Sequence, residues 1–399
     1  MMKSIGVFWK NDNDRDYCKQ CPHHQMEVKS AETAINNSDE DFEFQINLWN
    51  SDVKSLTFPQ KRRFRAIDFG IICPLCTKKL VLLLPFKADE SDFHDLARCL
   101  SLDADLLCTV FNEDLKSTSK PSKSYYKIDG KNLNLLMYEL SKENLEEFIY
   151  DEQANVTQIT ITINSNFNTA SFKDYRLFVR FRIMLKSFGS FAKKKKVSND
   201  WLQSAFSSTY MFDIRLNDVR ELSKKKKELV EFNGFKLPNF SKVHFFYMAD
   251  SEESVENGSS IKLDKRLLEN DRWHSYLGDK IEFVSENIAH HWKCKKEFKM
   301  GIKKVDTSNP EETKIKYIPD SRPITDFTLF FKTEFSDCQI KRLILYVLIV
   351  MLLGFIASAF VTLIDSWLSC IGEYKQLVWG TLIIVLCFIL YFCLRSSTK

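Results

Sequence analysis

Two long uncharged stretches near the end of the chain restrict its folding more than any other feature. Residues 343–364 (LILYVLIVMLLGFIASAFVTLI) and 377–394 (LVWGTLIIVLCFILYFCL) contain no Asp, Glu, Lys or Arg. At 1.5 Å per residue they make helices of about 33 and about 27 Å, against roughly 30 Å of hydrocarbon in a bilayer. The link between them, DSWLSCIGEYKQ (365–376), is short, so the pair reads as a transmembrane helical hairpin. Lys341 and Arg342 precede the first run, and Arg395 and Lys399 follow the second. The link carries Asp365, Glu373 and a single lysine. This bias places both termini in the cytoplasm. The opening MMKSIGVFWKNDNDRD has no apolar signal region. The expectation is an integral protein of the inner or plasma membrane. A cytoplasmic part ends near 335, a connector spans 336–342, and a short cytoplasmic tail covers 395–399.

Within the first run, Gly354, Ala357 and Ser358 form a face of small side chains that lets helix backbones approach closely. It can serve the hairpin itself or association between copies. Neither run has a charge near its middle, so a pore would need several copies.

A reducing cytoplasm disfavours structural disulfides, which bears on two cysteine pairs. Cys18 and Cys21 lie in RDYCKQCPHH, and Cys73 and Cys76 in FGIICPLCTKKL. Two CxxC knuckles, each at the turn of a β-hairpin, are the donor set of a structural tetrahedral zinc site. The flanks IGVFW, FEFQINLW, RAIDFGII and KLVLLLPF read as strands. Residues 1–88 resemble zinc-ribbon modules, with an insertion at 27–41. A redox pair and two unrelated reduced thiol pairs remain the alternatives. His290 and Cys294 in HHWKC have helical i,i+4 spacing, but no third ligand lies nearby and satisfied structural roles are the better reading.

The formal net charge is +4, with 33 Phe and only 11 Gly. So mild a charge gives no globally basic nucleic-acid domain, and any such role must come from local patches. The densest is FKDYRLFVRFRIMLKSFGSFAKKKK (172–196). Read as an amphipathic helix, it places Lys173, Arg176 and Arg180 on one face, with Arg182 beside them. Lys193, Lys194, Lys195 and Lys196 extend it, and Lys224, Lys225, Lys226 and Lys227 form a second run. A solvated face, an anionic membrane surface and nucleic acid stacked on the interleaved aromatics all fit this pattern.

Residues 89–335 read as an α+β domain with a division near 125–155. Helices are expected over 91–111, 132–150, 215–232 and 279–293, where Ile281, Val284, Ile288, His291 and Trp292 share a helical face. Strands are expected over 157–166, 243–248 and 326–335. The stretches 113–124, 250–260 and 306–323 read as polar loops. The expected fold class is therefore an α+β cytoplasmic region with an N-terminal zinc-ribbon-like module and a C-terminal two-helix hairpin. The chain contains no P-loop, GxGxxG, GxSxG, HExxH or zinc-deaminase motif.

A large soluble part on two apolar runs resembles bacterial anti-phage abortive-infection effectors, including two-span retron-associated proteins. The resemblance is carried by 343–364 and 377–394 alone. It implies a sensing domain that drives oligomerisation of the hairpin and disrupts the membrane, with a protein or nucleoprotein partner restraining it. The other function that fits is a membrane-tethered adaptor holding nucleic acid or protein through the basic segment and the ribbon.

Overall fold

The computed structural model describes residues 4–11, 41–55, 61–164, 167, 171–188, 191–194, 207–218, 220–222, 228–278, 281–295, 298–305, 314–321, 324, 327–336 and 340–368. Strands dominate these residues, so the α+β expectation is corrected to a mostly β fold around one large mixed sheet. Among the described residues one helix, not a hairpin, is apolar and long enough to span a bilayer, and none group as a metal site. The second apolar run (377–394) and Cys18 and Cys21 lie outside the described residues.

The large sheet has the order β16 (Leu263–Leu267), β18 (Asn287–Lys295), β14 (Asn239–Asp250), β2 (Asp41–Ser55), β3 (Lys61–Cys73), β11 (Tyr175–Met184), β8 (Asn134–Tyr138), β7 (Tyr125–Gly130), β6 (Leu115–Ser122). Two short strands add to it, β5 (Phe93–Asp95) on β11 and β17 (Ile281–Phe283) on β2. The β14–β2 and β11–β8 pairings are parallel. A second sheet runs β1 (Gly6–Asn11), β4 (Thr77–Leu84), β10 (Val156–Thr162), β9 (Leu145–Asp151). A third runs β12 (Ala192–Lys194), β13 (Ser207–Leu216), β21 (Phe327–Ser336), β15 (Ser254–Asn257). β19 (Phe298–Val305) and β20 (Lys314–Ser321) pair separately.

The large sheet is covered on both faces. On one, Phe44, Ile46, Phe69, Ile71, Val179 and Phe181 share a core with Leu82 and Ile159 of the second sheet and Phe212 and Phe331 of the third. On the other, Trp49, Ala66, Ile72 and Phe178 pack with the short helices α1 (Ala97–Leu102), α2 (Ala104–Phe111) and α3 (His274–Leu277). Strands buried on both faces lose the alternation that marks a half-exposed strand. That explains the helix expectations over the inner strand β11 (175–184) and over β8 and β18, within 132–150 and 279–293. β9, also within 132–150, is an edge strand with no buried residue, and burial does not account for that reading. His291 and Trp292 are strand neighbours on opposite faces, so the helical face expected for them does not exist. The expected helix at 215–232 is the end of β13, a helical turn at 220–222 and a short π-helix at 228–232. Of 91–111, the part from Ala97 is helical, and the Asp103 carboxylate caps α2 by accepting from the Leu106 N–H at 2.9 Å.

Residues 1–88 do not stand apart as a ribbon. β2 and β3 lie at the middle of the large sheet, and β1 and β4 pair with strands from beyond residue 140 through β10. The described residues of 4–194 and 208–336 form one compact unit, and α4 (Ile340–Leu368) belongs to a second. In the second unit, α4 contains the candidate span Ile344–Ser366, with mean hydropathy 2.8 and no part of it buried. A Cβ added at Gly354 meets nothing within 4 Å. The Thr362 hydroxyl turns back onto the Ser358 carbonyl at 2.9 Å, so it exposes little polarity.

One buried polar joint ties the large sheet to the third sheet. The Tyr247 hydroxyl and the Asn50 amide donate to the Glu253 carboxyl. Burial raises the Glu253 pKa to about 7, although Tyr247 and Arg63 pull it down. The folded chain then keeps a proton that the unfolded chain releases near the ordinary value of 4.5. This contribution to stability is complete below 4.5 and disappears as pH rises through 7. The buried histidines His244, His290 and His291, whose pKa values are lowered to about 3, 4 and 4, push stability the other way over the same interval, so the test is a difference. In urea unfolding, Glu253→Gln should gain stability relative to wild type as pH rises from 4.5 through 7, and a pH-independent difference would contradict the assignment.

Candidate functional site

The site begins with the register of three neighbouring strands. β2, β3 and β11 align Gln45 with Gly70 and Arg180, and Asn47 with Asp68 and Arg182. These side chains occupy the helix-covered face. A charge there must find a partner, because leaving it unpaired in an apolar interior costs several kcal/mol. Asp68 has its partner in Arg182. The Arg182 Nε and Nη2 donate to the two carboxylate oxygens at 2.6 and 3.0 Å. Trp49 Nε1 and the Tyr276 hydroxyl donate to the same carboxylate at 2.7 and 2.8 Å. Arg182 Nη1 donates to the Tyr276 carbonyl at 3.0 Å, and its guanidinium lies 4.8 Å from the Tyr276 ring centroid. Burial, the largest single influence, would lower the Arg182 pKa, but the Asp68 charge and hydrogen bonds, with smaller help from Tyr276 and Cys99, together outweigh it and the pKa is raised.

Arg180 is buried to the same degree, with 1% of its surface exposed, but has only neutral partners. Its Nε donates to the Tyr276 hydroxyl at 2.8 Å and its Nη1 to Gln45 Oε1 at 2.8 Å. With the Asn47 amide turned so that its oxygen faces the guanidinium, Nη2 donates to it at 2.6 Å. No carboxylate lies within 4.0 Å of it among the described residues. Gly70 makes the arrangement possible, since a Cβ there would lie 2.9 Å from Arg180 Nη1. Two buried guanidiniums thus share one carboxylate, which leaves one positive charge in excess.

That excess charge borders a cavity of about 220 Å³ between the sheet and α2. Arg180, Gln45 and Asn47 line its polar side, and Phe246, Met248, Leu268 and Trp273 its apolar side. Lys265 and Arg266, both exposed on the edge strand β16, are also at its wall, as is Asp264, whose carboxylate is paired with Lys262 at 2.7 Å. The Phe246 and His291 rings stack at 4.1 Å between centroids and 5° between planes. His244 Nδ1 and His291 Nε2 are 3.1 Å apart, so one carries the proton between them. Burial and then Lys293 lower the His291 pKa to about 4 and the His244 pKa to about 3, so both rings are neutral at physiological pH. An inner guanidinium with spare N–H groups, a basic rim and apolar walls suit an anionic ligand with an apolar body.

A second depression holds Asp95, Arg98, Cys99, Asp103 and Asp105. Its main acids already have structural work. Asp95 accepts from the Leu140 and Ala97 N–H groups, and Asp103 accepts from Leu106 and the Ser275 hydroxyl.

The basic segment does not form one face. Lys173 is exposed in the turn before β11, Arg176 pairs with Glu43 at 3.1 Å, and Arg180 and Arg182 lie in the interior. Lys193 and Lys194 are exposed on β12, with Lys194 over the Tyr210 ring. Lys195, Lys196 and Lys224–Lys227 lie outside the described residues. Cys73 is fully buried at the end of β3, and burial pushes its thiol up to about 12. Cys76, in the adjoining turn, is half-buried. His290 and Cys294 lie on strand β18 rather than on a helix. Gln45, Asn47, Asp68, Phe246 and Tyr276 were not singled out by sequence, and His291 was read only as part of a helical face. A signal existed: Asp68 and Gly70 interrupt the apolar second half of β3 (66–73), and Arg180 and Arg182 alternate with Val179 and Phe181.

The two arginines should respond differently to mutation. Asp68→Asn leaves Arg182 buried without its counter-charge and should cost about 3–5 kcal/mol of folding stability. Arg180→Met removes a charge that has no carboxylate of its own and should leave the ligand-free protein as stable as wild type or more so. Thermal unfolding of the purified chain in mild detergent measures both, and a loss for Arg180→Met as large as for Asp68→Asn would contradict the assignment.

No protein-family model matches the chain, and a search of curated proteins finds no match to it.

Proposed function

We propose that the chain is a membrane-anchored sensor. Its β domain binds an anionic ligand in the Arg180 cavity, and α4 holds it in a bilayer. The observation that carries the ligand-binding part is the Arg180 guanidinium, 1% exposed, bonded only to neutral acceptors and bordering a cavity. Evolution retains such a group at a cost in stability where binding needs it. The anchor rests on α4, which is apolar on all sides and unburied over Ile344–Ser366. A helix of that kind belongs in lipid or in a large core. At 23 residues it measures about 35 Å, enough for the hydrocarbon layer with some tilt.

In this reading occupancy of the cavity is the signal and association of α4 between copies is the output, through the face of Gly354, Ala357 and Ser358. Membrane perturbation in anti-phage defence, as in the effectors the chain resembles, is the physiological setting we propose for that output.

Two measurements test the reading. The full chain should stay with membranes through alkaline carbonate washing, and a chain lacking 340–399 should not. Millimolar inorganic phosphate should raise the unfolding temperature of the full chain in detergent by several degrees and that of Arg180→Met by none. Release of the full chain by carbonate would end the anchor assignment. An equal shift for both proteins would end the ligand assignment.

A further inference from the structure

We infer that the ligand of the Arg180 cavity is a nucleotide, with its phosphate on Arg180 and its base against the Phe246–His291 ring pair. The inference rests on the ligand-binding reading above and narrows it to a chemical class.

The cavity asks for two properties in one molecule. The first is concentrated negative charge. Arg180 uses three N–H groups on Tyr276, Gln45 and Asn47, which leaves two of the five that a guanidinium carries. Two N–H groups in a fixed fork match two oxygens of a phosphate. Arg266 and Lys265, which have no carboxylate partner among the described residues, add charge at the same wall. A dianion satisfies this excess better than a single carboxylate.

The second property is a flat, weakly polar body. An inorganic ion would leave Phe246, Met248, Leu268 and Trp273 lining empty or water-filled space. The planes of Phe246 and His291 are parallel within 5° and those of His244 and His291 within 10°, so the strands β14 and β18 carry a stack of flat rings whose outer face can take one more. His291 and His244 are neutral here, because burial and the nearby Lys293 disfavour their charged forms. Neutral rings stack on a base through dispersion and apolar contact, with no buried cation to desolvate. Stacking of one base on a protein ring is worth about 1–3 kcal/mol, or roughly 5- to 150-fold in affinity. The Asn47 amide is taken up by Arg180 and the Ile46 carbonyl, so the groups left for the edge of a base or the hydroxyls of a ribose are the Gln45 amide nitrogen and His291 Nδ1. A lipid chain or an aliphatic acid would use the apolar wall but none of these polar groups.

The test is calorimetric titration of the full chain in mild detergent. The probes are the four nucleoside 5′-monophosphates, their unphosphorylated nucleosides, ribose 5-phosphate and inorganic phosphate. At least one monophosphate should bind tenfold or more tightly than both its nucleoside and ribose 5-phosphate. Phe246→Leu, which keeps apolar volume but removes the ring, should lower that affinity towards the ribose 5-phosphate level and leave ribose 5-phosphate unchanged. Arg180→Met should abolish binding of every phosphate. Circular dichroism of each variant at the titration temperature establishes that it is folded. If ribose 5-phosphate binds as tightly as every monophosphate, or Phe246→Leu has no effect, the nucleotide assignment falls while the anion cavity stands. If no phosphate binds the wild-type chain, both fall together.

Discussion

The pairing of Asp68 with Arg182 constrains everything around it. Both groups sit inside an apolar layer, and neither tolerates burial alone. Asp68 collects four donors, from Arg182, Trp49 and Tyr276, which satisfies its lone pairs. Those donors come from β11, β2 and α3, so the carboxylate fixes the register of three central strands and the seat of a helix against them. Trp49 is thereby held against Trp273 and Phe283, and the rest of that apolar layer follows.

The same pairing leaves Arg180 without a counter-charge. Tyr276 donates to Asp68 and accepts from Arg180, so its hydroxyl passes part of the carboxylate's polarisation to the second arginine. The remainder is borne by two amide oxygens, from Gln45 and Asn47. Neutral acceptors satisfy hydrogen bonds but do not cancel charge. The result is a rigid, preorganised cation at a cavity wall, and such groups bind with little entropy left to lose. Gly70 is the small residue that permits the crossing from β11 to β2.

The strands were legible where one face or one end of an element remained ordinary. The readings of 42–49, 157–166, 243–248 and 326–335 each lie on an observed strand or overlap most of one, namely β2, β10, β14 and β21. Ser141 begins a helical turn, as its N-cap chemistry implies, but the turn lasts only Lys142–Asn144 before β9 starts. Residues 172–185 and 279–293 misled because both faces of their strands are buried, and a nearly continuous apolar run fits a helical wheel as well as a pleat. The Cys73–Cys76 knuckle is a turn, but the strands it joins, β3 and β4, belong to different sheets and not to the expected hairpin, and its first thiol is buried in the core.

By itself the sequence determined the apolar helix over 344–366 and the location of seven strands, β1–β4, β10, β14 and β21, because both depend on properties of neighbours along the chain. The length of an uncharged run and the branching of side chains need no distant partner to be read. Tertiary structure alone decided that Arg180 and Arg182 are interior groups with opposite roles. Their positions in sequence are equivalent, two residues apart on one strand. What separates them is that Asp68 sits beside one and Gly70 beside the other, and only the pairing of β3 with β11 brings those neighbours into register.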